Sequence, residues 1–150
     1  MSKNEHPLTQ EEFDSIYAKV PRLTVEIIVK DEAGAIFLTQ RSIEPCKGKW
    51  HLPGGTVRFG EPMTDSVKRI AKRELGIEVT DCNNVGYIEY PSHYLNGLDS
   101  PVGIVFEVVA FDGSPTINAE ASHAGWFTHL PAEIHEDQDV FLLNNGYIRK

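Results

Sequence analysis

Cysteine is scarce. The chain has two in 150 residues, Cys46 and Cys82, and their spacing matches no paired or metal-binding motif. Thiols so placed are expected to be free, in a reducing cytoplasm, which excludes a disulfide-stapled scaffold. Basic residues are also few: 14 Lys and Arg stand against 22 Asp and Glu, a net charge of −8. That balance argues against a nucleic-acid backbone or an anionic membrane as the main partner. It leaves a nucleotide open, because a metal and a few local arginines can offset phosphates. No apolar run approaches the length needed to cross a bilayer, and the first residues, MSKNEHPLTQEEF, lack the apolar core of a signal peptide. Repeats and low-complexity linkers are missing too. With 41% hydrophobic and 24% charged residues, the composition suits a single domain over residues 1–150 that buries most of its apolar surface without staples.

The informative stretch runs from Pro53 to Val79, PGGTVRFGEPMTDSVKRIAKRELGIEV. It reads as strand, glycine turn, loop and helix. Glu61 and Pro62 suit a helix entrance, where a carboxylate meets the positive N-terminal end and proline fits the first turn. Gly76 stands where a left-handed C-terminal cap is wanted. Met63, Val67, Ile70, Ala71 and Leu75 recur at helical spacing and define a buried face. Glu74 lies one turn after Ile70 and borders that face, where a carboxylate is costly unless something positive meets it.

Upstream, Thr9 and Glu12 make a capping-box pattern, and Phe13, Ile16, Tyr17 and Val20 follow at helical intervals. A helix is expected over about Thr9 to Lys19, as a packing helix or a dimer element. Leu23 to Val29 and Ala35 to Gln40 read as strands joined by the turn at residues 31–34, a hairpin. Glu26 interrupts the first strand; a buried carboxylate needs a partner, either an arginine or the sugar or base of a ligand. Arg41 ends the second strand before the loop leading to the glycines, a place suited to a phosphate contact. Tyr87 to Tyr90 and Gly103 to Phe111 read as strands. The long polar connection between them, PSHYLNGLDSP, carries His93 and Tyr94, which are candidates for stacking and hydrogen bonding to a leaving group. A last strand is expected around Ala124 to Thr128, and a closing helix within Asp137 to Arg149, weakened by Asn144, Asn145 and Gly146. The elements mix without regular βαβ alternation, which suits an α+β sandwich with a mixed sheet.

The spacing Gly55-x5-Glu61-x7-Arg69, followed by Glu74, Gly76 and Ile77, resembles the Nudix box, a motif that holds a divalent metal against a diphosphate. The box is expected over about residues 55–77. The resemblance implies a Nudix-type α/β/α sandwich and Nudix hydrolase activity. Ile70 and Arg73 stand where the family carries glutamates. Within the family, the N-terminal helix and the run R-x3-P-x2-G-x-W-x2-P-G-G from Arg41 to Gly55 are most similar to the GDP-mannose mannosyl hydrolase branch, which also lacks the glutamate replaced by Ile70. That branch implies a homodimer with one Mg²⁺ per site, hydrolysing a nucleotide sugar at the sugar carbon. This chain has Thr56 where the branch has an arginine, and Glu120 and Ala121 where it has a glutamine and a histidine, with His123 two residues further on.

The ligand set implied by the resemblance is the Gly54 carbonyl, Glu74 and Glu120, holding Mg²⁺ or Mn²⁺. Gly55, Glu61 and Gly76 take structural roles, with Glu61 expected to bond Arg69 and the helix entrance. Arg41 and Arg69 would stabilise charge on the diphosphate. His123, with an ordinary pKa near ~6.5, would serve as base, with Glu120 as its rival. His51 and His135 are weaker candidates. Three functions stay open: hydrolysis of a nucleotide sugar, pyrophosphate cleavage at phosphorus (of ADP-ribose, a nucleotide sugar or a nucleoside triphosphate), and nucleotide binding without catalysis.

Overall fold

The computed structural model describes residues 6–116 and 121–150. Its elements in order are α1 (Gln10–Tyr17), β1 (Arg22–Ile28), β2 (Ile36–Arg41), β3 (Trp50–His51), β4 (Gly54–Thr56), α2 (Met63–Leu75), β5 (Glu78–Glu89), α3 (Pro91–Leu95), β6 (Pro101–Asp112), β7 (Ala121–Phe127) and α4 (Asp139–Asn144). The four-stranded sheet has the order β4-β1-β6-β5. It is mixed, since β1 runs parallel to β6 and antiparallel to β4. The smaller sheet, β3-β2-β7, is antiparallel. The architecture is α+β, as expected.

The pleat of β1 explains the layering. Val25, Ile27 and Val29 project to one side and join Val67, Ile70, Ala71 and Leu75 of α2 in one core. Ile28 projects to the other side and joins a second core with Ile36, Leu38, Leu52, Tyr90 and Leu142 of α4. Alternation of period two therefore places Thr24 and Glu26 on the face turned away from α2. The polar break in an apolar strand belongs to the face that carries the site.

Two expectations are corrected. Residues 31–34 do form a turn, with the Gly34 N–H donating to the Asp31 carbonyl at 3.1 Å. Yet β1 and β2 part after a single bridge, Lys30 to Ile36, and enter different sheets. A turn fixes the reversal of the chain, whereas partners elsewhere fix the pairing. The connection after Tyr90 is also not wholly a loop, since Pro91 starts the one-turn helix α3.

Helix ends follow local chemistry closely. The Thr9 hydroxyl accepts the Glu12 N–H at 3.1 Å while Glu12 accepts the Thr9 N–H at 2.9 Å, the expected capping box. Gly76 ends α2 in the left-handed region, φ 70°. The closing helix is short, Asp139–Asn144, with Gly146 at φ 73° just beyond it. No helix among the described residues is long and apolar enough to cross a membrane. Ile27 is fully buried between β1 and α2, so Ile27→Ala is expected to lower unfolding free energy by about 2–5 kcal/mol in urea denaturation, with the fold retained.

Candidate active site

The site forms around the edge strand β4. Three residues of β4 sit against β1 in the register Thr24 to Thr56, Val25 to Gly55 and Glu26 to Gly54. The Val57 N–H donates to the Leu23 carbonyl and the Ile27 N–H to the Pro53 carbonyl. In an antiparallel ladder the hydrogen-bonded pairs alternate. Gly54 and Thr56 thus fall at the non-bonded positions, with their carbonyls turned away from β1. Arg69 takes the Thr56 carbonyl at 2.9 Å, and the Gly54 carbonyl projects from the same edge.

The box holds itself together. Arg69 grips Glu61 through Nε at 2.8 Å and Nη2 at 2.9 Å, and Glu61 also accepts from the Ser66 hydroxyl at 2.6 Å and the Arg58 N–H at 3.1 Å. The Arg69 bonds above all hold the Glu61 carboxyl at about 2, well below its usual 4.5. Glu61 thereby ties the loop after β4 to α2, and Gly76 closes that helix in a left-handed turn. Arg69 is held by Glu61 and the Thr56 carbonyl and does not line the cavity, so it is not placed there to meet a diphosphate.

That cavity, of about 230 Å³, is lined by Gly54, Gly55, Arg73 and Glu74 of the box, by Arg22, Thr24 and Glu26 of β1, and by Arg41, Cys46, His51, Tyr90, His93, His135 and Gln138. Three guanidinium groups, from Arg22, Arg41 and Arg73, face it within a protein of net negative charge. Arg22 binds Asp99 at 2.7 and 2.8 Å and the Thr56 hydroxyl at 2.8 Å. Where the mannosyl-hydrolase branch carries an arginine directly after the glycines, Thr56 instead receives a guanidinium from the start of β1. Arg41 donates to the Pro45 carbonyl at 2.6 Å. Arg73 lies 2.9 Å from Glu74.

Glu26 meets a partner, though not an arginine. Tyr90 donates to its Oε1 at 2.8 Å and Thr24 at 3.2 Å. Tyr90 in turn accepts from Gln138 at 2.8 Å, and Gln138 accepts the Leu52 N–H at 2.8 Å. Burial pushes the Glu26 carboxyl up to about 7, against the lowering effect of these hydrogen bonds. Gly54 and Gly103 make room for it: a Cβ on Gly54 would lie 2.3 Å from Oε2, and one on Gly103 2.8 Å from Oε1. The Oε2 atom is accordingly the one turned toward Gly54.

Other expected residues fall elsewhere. Exposed His123, on β7, has its Nδ1 2.9 Å from Gln40 Oε1, outside the cavity lining. The base assignment made for it therefore lacks the geometry it needs in this structure. Tyr94 is half-exposed on α3 and faces the groove beside α1 rather than the cavity. Glu120 lies outside the described residues. His51 lines the cavity, with burial pushing its pKa down to about 4. The residues missed by sequence reasoning are Arg22, Tyr90 and Gln138, together with Cys46 as a site residue. Arg73, which the box pattern marks only as a lost glutamate, also lines the cavity. Its place directly before Glu74 in the chain is the signal the sequence offers.

The box implies a divalent metal, and the residues around Gly55 limit what it can hold. A Cβ on Gly55 would meet Ile70 Cδ1 at 2.9 Å and Arg73 Nη2 at 3.3 Å. An apolar side chain and a cation thus occupy the positions of two carboxylates, and a cluster of several metals does not fit. The outward Gly54 carbonyl and the Glu74 carboxylate do fit one hard cation with oxygen donors.

The NUDIX domain family model matches residues 20–144, and the chain belongs to the Nudix family. It is a Nudix hydrolase. It is 34% identical over 139 residues to the low-salt glycan biosynthesis protein Agl8 of Haloferax volcanii, covering 90% of this chain and 88% of that protein. The MutT NUDIX hydrolase of Burkholderia pseudomallei superposes with a TM-score of 0.75 at 28% identity, over 83% of this chain and 97% of that one. The NUDIX domain of Shewanella oneidensis NrtR, solved with ADP-ribose, shares the fold at 20% identity and TM-score 0.59, over 84% and 82% of the two chains.

Because Glu61 is ionised in the clamp down to about pH 2, its stabilisation is complete above about 4.5 and is lost as pH falls toward 2. Glu61→Gln should lower stability at pH 7, and the gap from wild type should close between about pH 5 and pH 2 in urea titrations. A gap independent of pH would remove the carboxylate charge from the account.

Proposed function

We propose that this Nudix hydrolase acts on a nucleoside diphosphate joined to a sugar, with one Mg²⁺ or Mn²⁺ held by Glu74 and the Gly54 carbonyl. The observation that carries the reading is the convergence of three guanidiniums, from Arg22, Arg41 and Arg73, on the cavity that holds Glu74. Planar forks of this kind match the paired oxygens of a diphosphate. The bound cation supplies charge neutralisation for the phosphate oxygens. Arg41 and Arg22 bind and orient the diphosphate, and Arg22 keeps its own direction through Asp99. Glu26, anchored by Tyr90, offers Oε2 to a hydroxyl of the sugar or nucleoside. The cavity volume lies below the ~300 Å³ lower end for ligand pockets, so the ends of such a substrate extend over its rim.

Cleavage at phosphorus is the second reading, and the position of His123 outside the cavity favours it, since attack at the sugar carbon relied on that base. Hydrolysis in ¹⁸O water separates the two: label on the sugar marks carbon attack and label on a phosphate marks phosphorus attack. Saturable binding with no turnover would instead assign a sensor role. Glu74→Gln is expected to abolish turnover nearly completely, with an unchanged far-UV spectrum; wild-type rates in that variant would sink the metal assignment.

A homodimer through α1 is part of the same proposal. None of its residues is buried, and Ile16 and Val20 are 41% and 45% exposed. Sedimentation should give a dimer that Ile16→Glu with Val20→Glu converts to monomer.

A further inference from the structure

Three residues that the hydrolase reading leaves without a task meet at one wall of the cavity. Cys46 comes from the loop between β2 and β3, His93 from α3, and His135 from the segment before α4. The Sγ of Cys46 lies 3.9 Å from His93 Nε2 and 3.7 Å from His135 Nε2, and the two Nε2 atoms are 3.3 Å apart. Two imidazole nitrogens facing each other at that distance cannot both present lone pairs, nor both present protons. Either one proton or one cation lies between them.

The distances fit a cation. A tetrahedral zinc ion with nitrogens at about 2.0–2.1 Å and sulfur at about 2.3 Å sets its two nitrogens about 3.3 Å apart and its sulfur about 3.6 Å from each. We propose that Cys46, His93 and His135 bind one zinc-class divalent cation, as a site separate from Gly54 and Glu74 and independent of the hydrolase reading. A thiolate with two imidazoles is a softer donor set than the carboxylate and carbonyl offered to magnesium, so the two sites select different metals.

The surroundings carry the marks of such a centre. Asp99 lies 2.9 Å from His93 Nδ1 and is itself held by Arg22. That contact puts the His93 proton on Nδ1 and leaves Nε2 as the ligand atom, the carboxylate–histidine–metal arrangement. Cys46 holds a left-handed backbone, φ 65°, unusual for a residue with a side chain. The His93 and His135 rings stack at 28° and 5.4 Å, with the Tyr90 ring edge-on to both. Three protein ligands leave the fourth position for water or a substrate atom.

His135 Nδ1 accepts the Asp137 N–H at 3.1 Å, which describes the competing proton-filled form: His135 Nε2–H donates to His93, and His93 Nδ1–H donates to Asp99. Metal capture forms a Zn–S bond and breaks the S–H bond, with that proton leaving to solvent. The His135 ring proton moves from Nε2 to Nδ1, and the amide contact is given up. One proton is released for each cation bound, so affinity rises with pH.

The test is titration of chelator-treated, reduced full-length protein with Co²⁺ and then Zn²⁺. One equivalent of cobalt is expected, with tetrahedral d–d bands and a sulfur-to-cobalt charge-transfer band that zinc bleaches. Cys46→Ser should lose the charge-transfer band, and Asp99→Asn should weaken zinc binding by about 10–100-fold. Glu74→Gln should keep the full equivalent, which separates failure here from failure of the hydrolase reading. Circular dichroism checks each variant's fold, and His135→Asn provides a second ligand variant if Cys46→Ser does not fold. Less than one equivalent in the wild type, or a spectrum unchanged in a folded ligand variant, would overturn the site and leave a shared proton between the histidines.

Discussion

The grip of Arg69 on Glu61 and on the Thr56 carbonyl is the interaction on which the rest of the site depends. One guanidinium joins the edge strand, the loop after it and the helix, donating three hydrogen bonds to acceptors that would otherwise compete for water. Because Thr56 is tied to α2, the Gly54 carbonyl two residues earlier is presented on the same edge as Glu74. The clamp does no chemistry itself. It ties the strand that carries the Gly54 carbonyl to the helix that carries Glu74.

Close backbone approach is the second constraint. Glu26 is a buried carboxylate accommodated by glycines on both neighbouring strands and by donation from Tyr90 and Thr24. The chain from the Leu52 amide through Gln138 and Tyr90 to Glu26 links the glycine turn to the segment before α4. A buried polar network of this kind is rigid when every member is satisfied. It gives the floor of the cavity a defined shape while the arginines form its charged walls.

The replacement of two box carboxylates has a coherent physical consequence. Ile70 completes the core under Gly55, and Arg73 brings a positive charge beside Glu74. Negative charge in the site falls and positive charge rises, so less of the box is left to hold a metal cluster and more of it to meet an anion. Thr56 follows the same logic. The guanidinium absent from its position arrives from Arg22, on a strand far away in sequence.

Local signals were legible wherever neighbours in sequence are neighbours in space. The capping box of α1, the left-handed Gly76, the buried face of α2 and the Glu61–Arg69 pair all follow from helical or turn geometry, and the sequence by itself determined them. It also determined the family, through the spacing of the box. Only the tertiary structure decided that β1 and β2 part into different sheets, that Glu26 meets Tyr90 rather than an arginine, and that Arg22 reaches Thr56. It likewise brought Cys46, His93 and His135 together and left His123 and Tyr94 outside the cavity. The reason is that these pairings join residues 34 to 89 positions apart, and no periodicity in the chain encodes which strand face meets which. That choice is made by the summed burial of both cores.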